Sequence, residues 1–354
     1  MIDLGAIIRK RSKRLPVSRS PAADIPMGCR VRLARNLQSL VFPDRATPAQ
    51  ATAVLNKIMN AIADTEQKIL LVAVKDFNEQ ERLNLFEAHL VSRELVNRET
   101  GGIAISLDKT MVVMVNEEDH LRIQGFAPGM DLESAWRKAD AMDTLLDEKL
   151  TYAWTPRLGY LTACPSNLGT GMRASIMLHL MGLRMTGELE AVIRGLERMR
   201  LLVRGLYGEG SDSSGHIYQI SNMEALGMDE QMILARLQRI CEEVVRQECN
   251  ARTRIIRDSP RVVQDFFIRS LCLLQHVLMM PSGEAIELLS ALRFGVSAGL
   301  VKGLTLQEVD DLMLKVQPGH LMRECNEVLP PDKRDEFRAL MLNLRLAGAH
   351  LQTK

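Results

Sequence analysis

The 354-residue sequence predicts an α+β fold, an antiparallel sheet flanked by helices, followed by an all-α C-terminal region. Three observations lead there. Short runs rich in apolar and β-branched residues lie before residue 255: KILLVAV (68–74), GIAIS (102–106), MVVMVN (111–116), LRIQGF (121–126), GYLTAC (159–164), LLVRGLY (201–207) and HIYQIS (216–221). Between them Pro48–Ala63 and Asp131–Leu150 carry apolar residues at helical spacing. Beyond residue 255 strand signals stop, and 261–354 reads as helices broken at Pro281, Gly303 and Pro330–Pro331.

Residues 1–22 hold six Lys/Arg and one acid, a basic arm that is either a short helix or a solvated tail. Mixed strands and helices begin at Cys29. GYLTAC runs into a Gly-rich loop, after which Arg173 is expected to open a helix; Glu224–Arg254 reads as a charged helix. The division expected is therefore an arm (1–22), an α+β domain (23–254) and a helical domain (255–354).

Composition narrows the function classes. At 46% hydrophobic and 25% charged, with 45 Lys+Arg against 44 Asp+Glu, the chain is that of an ordinary globular protein and not of a general nucleic-acid binder. A local basic site stays compatible with that balance. No apolar run reaches the roughly 18 residues of a membrane helix. Six cysteines form no CxxC pair and no zinc-ligand spacing, so a cytoplasmic protein with reduced thiols is expected.

Four segments concentrate chemistry. CPSNLGTGMR (164–173) joins a cysteine, two glycines and Arg173, a loop able to bring backbone N–H groups to phosphate. It lacks the GK[ST] of a Walker loop. NEEDHLR (116–122) packs Glu117, Glu118, Asp119, His120 and Arg122 between two strands. VRGLYGEGSDSSG (203–215) carries Arg204 and then Glu209 in a loop with three glycines. RVRLARN (30–36), if extended, puts Arg30 and Arg32 on one face and Arg35 on the other. Taken singly, each also has a plain reading: a strand–turn–helix connection, a solvated hairpin tip, an ordinary loop, a basic strand edge.

Together, in this order and with IYQISN, the segments closely resemble the phosphagen (guanidino) kinase superfamily, and within it the bacterial protein-arginine kinases. The resemblance covers residues 25–254 strongly and the tail more weakly. It implies a kinase using ATP and Mg²⁺, in which Arg30, Arg32, Arg122, Arg173 and Arg204 bind nucleotide phosphates. Glu118 and Glu209 grip the acceptor guanidinium, Glu118 as the base, and Cys164 places a thiolate beside it. The chemistry suits phosphoryl transfer, which needs in-line positioning and charge neutralisation more than covalent help. Arginine meets phosphate bidentately, and paired carboxylates can fork a guanidinium and take its proton. Three positions depart from the superfamily pattern: Asp212 stands for Glu, Met177 for a His near the nucleotide, and Cys29 for Ser.

Small-molecule members carry a helical domain of about a hundred residues before the first arginine motif. Here 29 residues precede Arg30, so the resemblance implies an acceptor pocket open to arginine within proteins. In the tail, RDEFRA (334–339) matches the RDxxRA pattern by which protein-arginine kinases bind phosphoarginine, assigning Arg334, Asp335 and Arg338 to an allosteric site. An i, i+4 pair on one helical face fits a phosphoryl clamp, and equally a solvated helix. The resemblance further implies a dimerising helical domain, protein substrates marked for a Clp-type protease, and a zinc-finger activator, with no direct nucleic-acid or membrane partner. Two rival readings are a kinase of free arginine or another small guanidino compound, and a non-catalytic adaptor that only binds phosphoarginine.

Overall fold

The computed structural model describes residues 21–65, 68–207 and 214–352. The arm up to residue 20, together with Glu209 and Asp212, lies outside the described residues. Twelve strands are described: β1 (Pro26–Arg35), β2 (Ile69–Ala73), β3 (Gly102–Ser106), β4 (Met111–Val115), β5 (Leu121–Pro128), β6 (Trp154–Thr155), β7 (Gly159–Tyr160), β8 (Met172–His179), β9 (Leu201–Tyr207), β10 (Ser214–Asn222), β11 (Val301–Lys302) and β12 (His350–Leu351). Eight of them form one sheet in the order β2-β3-β4-β5-β1-β8-β10-β9, every pair antiparallel. β6 pairs with β7, and β11 with β12.

The helices are α1 (Pro48–Ala63), α2 (Glu79–Glu87), α3 (Arg93–Val96), α4 (Leu132–Asp147), α5 (Met181–Met185), α6 (Leu189–Arg198), α7 (Glu230–Asp258), α8 (Pro260–His276), α9 (Ser282–Ser297), α10 (Leu306–Lys315), α11 (Pro318–Cys325) and α12 (Pro331–Leu346). Their starts follow local chemistry. α1 has a capping box between Thr47 and Gln50 and Pro48 at its first position; α2 has one between Asn78 and Glu81. The Asp131 side chain caps α4, which buries Ala135, Ala139, Met142 and Leu146 against β5 and β1. The spacing of four, three and four is one helical stripe, and burying a side chain the size of Met142 or Leu146 contributes roughly 1.5–3 kcal/mol.

Two expectations from sequence need correction. Arg173 opens no helix: it sits in β8, and GYLTAC supplies only β7 before the chain turns irregular. Met, Ala and Leu in MRASIMLH favour helix in isolation, but the segment is paired on both sides, by β1 and β10, and that context decides. The charged helix begins at Glu230, capped by Asp229, and runs unbroken for 29 residues to Asp258. The expected domain boundary at 254/255 thus falls inside α7, four residues before the chain turns at Ser259–Pro260.

One face of the sheet is covered by α1, α4 and α7, forming the largest core. Over the other, α2 and α3 cover Ile103, Ile105, Val112 and Met114, while the C-terminal helices cover Met177 and Ile217. The two halves are also stitched by a carboxylate. Glu87 of α2, buried, accepts the Gly319 and His320 N–H groups at 2.8 and 3.0 Å and lies 2.8 Å from His320 Nδ1. It caps the start of α11 as an N-terminal helix dipole favours.

Candidate active site

Between those two apolar covers the same face of the sheet is polar, and strand register explains which residues line it. In an antiparallel pair, residues opposite one another point to the same side. Arg32 is opposite Arg173 on β8 and Gln124 on β5; Ala34 is opposite Arg122; Gln219 is opposite Arg204. The alternation that sends Arg30 and Arg32 to this face sends Arg35 to the other, as the sequence pattern implies. There Arg35 is buried. It grips Asp143 of α4 at 3.1 and 2.6 Å, stacks 3.5 Å from the Tyr160 ring centroid, and donates to Thr170 O at 2.9 Å.

The arginines strain one another electrostatically. Burial, then the charges of Arg122 and Arg173, bring Arg30 down to about 10; burial, followed by Arg30, Arg122 and Arg173, holds Arg32 well below the usual range. Arg173 is lowered by burial, by Arg204 and by Arg122, and supported by Cys164 and Glu118. A face that crowds cations in this way is built for a polyanion. Arg173 Nε is buried without a hydrogen-bond partner, a donor left open at the centre of the strip. Replacing Arg173 by Ala is accordingly expected to weaken nucleotide binding by about 1.5–3 kcal/mol. Calorimetry with ADP measures it, and unchanged affinity together with unchanged turnover overturns the assignment.

The β4–β5 hairpin brings the carboxylates. Arg122 lies between two of them: Nη1 is 2.6 Å from Glu117, which is buried, and Nη2 is 2.6 Å from Glu118, which is 39% exposed. The turn is held by Asn116, whose backbone is left-handed at φ 56°, and by Asp119. Asp119 Oδ1 accepts from Asn36 Nδ2 at 2.6 Å and from the Ala163 N–H at 2.7 Å. One buried side chain therefore joins Asn36, just after β1, the Glu118 hairpin and the residue before Cys164. Cys164 is partly buried with Sγ 3.0 Å from Ser166 Oγ, and a short 3₁₀ turn over Pro165–Asn167 follows it. The loop returns to β8 through Gly171, left-handed at φ 68°, where a Cβ would meet Arg35 Nη1 at 2.5 Å. Glycine is required there by both conformation and space.

The structure thus brings Arg30, Arg32, Arg122, Arg173, Arg204, Glu118 and Cys164 to one face. Glu209 is outside the described residues. Residues to which the sequence reading gave no role also take part. Gln219 Oε1 accepts from Arg30 at 3.2 Å, Gln124 Oε1 lies 3.5 Å away, and Glu117 neutralises Arg122. Counting across in register from Arg32 finds Gln124, and from Arg204 finds Gln219. Arg334, Asp335 and Arg338 lie on α12, in the helical region and not on the sheet. Arg338 is buried and donates to Val316 O, Met280 O and Asp335 Oδ1 at 2.7, 2.6 and 2.5 Å, while Arg334 is partly exposed. Among the described residues, no group of three or more His, Cys, Asp or Glu is placed to hold a metal.

Fold and site define a phosphotransferase of the guanidino kinase type. Residues 51–251 match the family described as ATP:guanido phosphotransferase, C-terminal catalytic domain, and residues 260–354 match the protein-arginine kinase McsB C-terminal domain. A protein-arginine kinase of Shouchella clausii is 38% identical over 333 residues, 93% of each chain; one of Bacillus subtilis is 37% identical over 332 residues, covering 93% of this chain and 92% of its own. The crystal structure of a lombricine kinase superposes with a TM-score of 0.57 at 24% identity, over 68% of this chain and 72% of that one, a likeness of fold. The chain belongs to the ATP:guanido phosphotransferase family, in its protein-arginine kinase branch.

Proposed function

We propose that the protein transfers the γ-phosphoryl group of ATP to arginine side chains of other proteins. The observation that carries this is the meeting of Glu118 and Cys164 with Arg173 on a sheet face otherwise lined by arginines. Arg30, Arg32, Arg122, Arg173 and Arg204 hold the phosphates. Glu118 and Glu209 hold the acceptor guanidinium, and the Cys164 thiolate polarises it. The guanidinium nitrogen attacks the γ-phosphorus, the bond to the ADP oxygen breaks, and Glu118 takes the displaced proton. Mg²⁺ bound to the phosphates would supply charge neutralisation. Protein arginine is favoured over a free guanidino compound by the full-length likeness to relatives named protein-arginine kinase.

On the same reading Arg334 and Asp335 receive phosphoarginine at the surface of α12 while Arg338 orders the site from within. The helical domain forms a homodimer, for which the exposed Leu278, Leu340 and Leu344 are available. Marked proteins go to a Clp-type protease, a zinc-finger protein activates the kinase, and the protein works in the cytoplasm; these follow from the family resemblance. Among the described residues no helix is long and apolar enough to cross a membrane.

The test is incubation with Mg-ATP and a denatured protein, then mass spectrometry without acid, which hydrolyses the P–N bond. Phosphorylated arginines in the protein, with little ADP release on free arginine, are expected. Equal turnover of free arginine with an unmarked protein selects the small-guanidine kinase. Phosphoarginine binding without ATP turnover selects the adaptor.

A further inference from the structure

The C-terminal helices reach into the active face at one point. Gly215 and His216, the second and third residues of β10, are both left-handed, at φ 79° and 52°. Between the pairs Ser214–Tyr207 and Tyr218–Gly205 the ladder to β9 is irregular. There α9 replaces the sheet as partner. Glu287 Oε1 accepts the Gly215 N–H at 2.8 Å, and Oε2 lies 3.1 Å from His216 Nε2. Ser290 Oγ donates to Gly215 O at 2.7 Å. Both main-chain groups of Gly215 are thus bonded to α9, and a Cβ on Gly215 would stand 2.6 Å from Ile286 Cγ2.

Ser290 is itself fixed from behind. His179 Nε2 is 2.7 Å from its hydroxyl, Arg252 Nη2 is 3.0 Å from His179 Nδ1, and Arg252 Nε is 2.6 Å from Glu248. A guanidinium only donates, so His179 Nδ1 accepts, and the ring hydrogen sits on Nε2 and points at Ser290. This buried chain runs from α7 through β8 and α9 to Gly215, the second residue of β10. An apolar contact would pack the same space; hydrogen bonds to the N–H and C=O of one residue fix the position and orientation of its two flanking peptides.

We infer that Glu287 and Ser290 are positioning residues for the phosphoryl transfer. They set the entry of β10, and with it the β9–β10 hairpin whose strands carry Gln219 and Arg204. The inference rests on the proposed function above. Arg32, Arg122 and Arg173 lie on other strands and hold nucleotide without this anchor, whereas Arg30 is tied to it through Gln219. Turnover depends on ångström-scale placement of the groups around the reacting atoms.

Glu287→Ala, Glu287→Gln and Ser290→Ala in the full chain test this, with Glu284→Gln, an exposed substitution on the same helix, as control. Expected are a kcat on denatured protein lowered roughly ten- to a hundredfold for Glu287→Ala, as a 1 Å misplacement does, with ADP affinity falling by a smaller factor, since Arg32, Arg122 and Arg173 keep their places. Glu287→Gln recovers most of the loss, because its amide oxygen still accepts the Gly215 N–H. Wild-type kcat in a folded Glu287→Ala overturns the inference. If that variant does not fold, wild-type kcat in Ser290→Ala, or a Glu287→Gln no better than the alanine form's expected loss, overturns it instead. An inactive wild type overturns the proposed function itself, so the two failures are separable.

Discussion

Glu118→Gln is expected to cut turnover by about two orders of magnitude or more while ADP affinity stays near wild type. The change keeps the size of the side chain and removes its charge and basicity. Arg122 then loses one carboxylate, but buried Glu117, 2.6 Å from its Nη1, still balances it and keeps it in place beside the other arginines. Binding and chemistry should therefore separate. Steady-state kinetics on a denatured protein and calorimetry with ADP measure the two halves. Near-normal turnover would remove Glu118 from the mechanism. A parallel loss of ADP affinity would show that Glu118 acts through Arg122 and not on the acceptor.

The second large effect lies on the opposite side of β1. Arg35→Ala should lower folding stability by about 3–5 kcal/mol, since it leaves the buried Asp143 carboxylate without its partner. The guanidinium also supports Tyr160 by stacking and Thr170 by hydrogen bonding, so the loop from Cys164 to Arg173 loses its underside. Arg35→Met combined with Asp143→Leu should recover much of the stability, because removing both charges avoids the unpaired one. Denaturant titration of the single and double variants decides it. A loss under about 1 kcal/mol in Arg35→Ala would mean that the pair contributes no more than an exposed one.

Much of the fold is legible in the sequence. GIAIS and LLVRGLY coincide with β3 and β9, and Pro48–Ala63 with α1, because in each the local pattern and the tertiary environment agree. β8 was misread because its pairing with β1 and β10 lies about 145 and 45 residues away, beyond any local window. The arginines of the site were visible as motifs. Gln124 and Gln219 were not, since a lone glutamine signals nothing until strand register sets it opposite an arginine. Arg338 shows the reverse: the i, i+4 pattern finds the pair but cannot tell that one guanidinium is bonded to the carbonyls of Val316 and Met280 inside the domain.

The cap that Glu87 places on α11 has a consequence for how the molecule is made. Its partners are translated 232 and 233 residues later, at Gly319 and His320. At ribosomal speeds of about 5–20 residues per second, roughly ten to fifty seconds separate them. In the last part of that interval, once Asn222 has been made, all eight strands can pair, yet α2 keeps a bare carboxylate and an uncovered flank. The nascent kinase half is thus a body with one unfinished side, and the order of synthesis makes docking of the helical domain, with its high sequence separation, a late event in maturation.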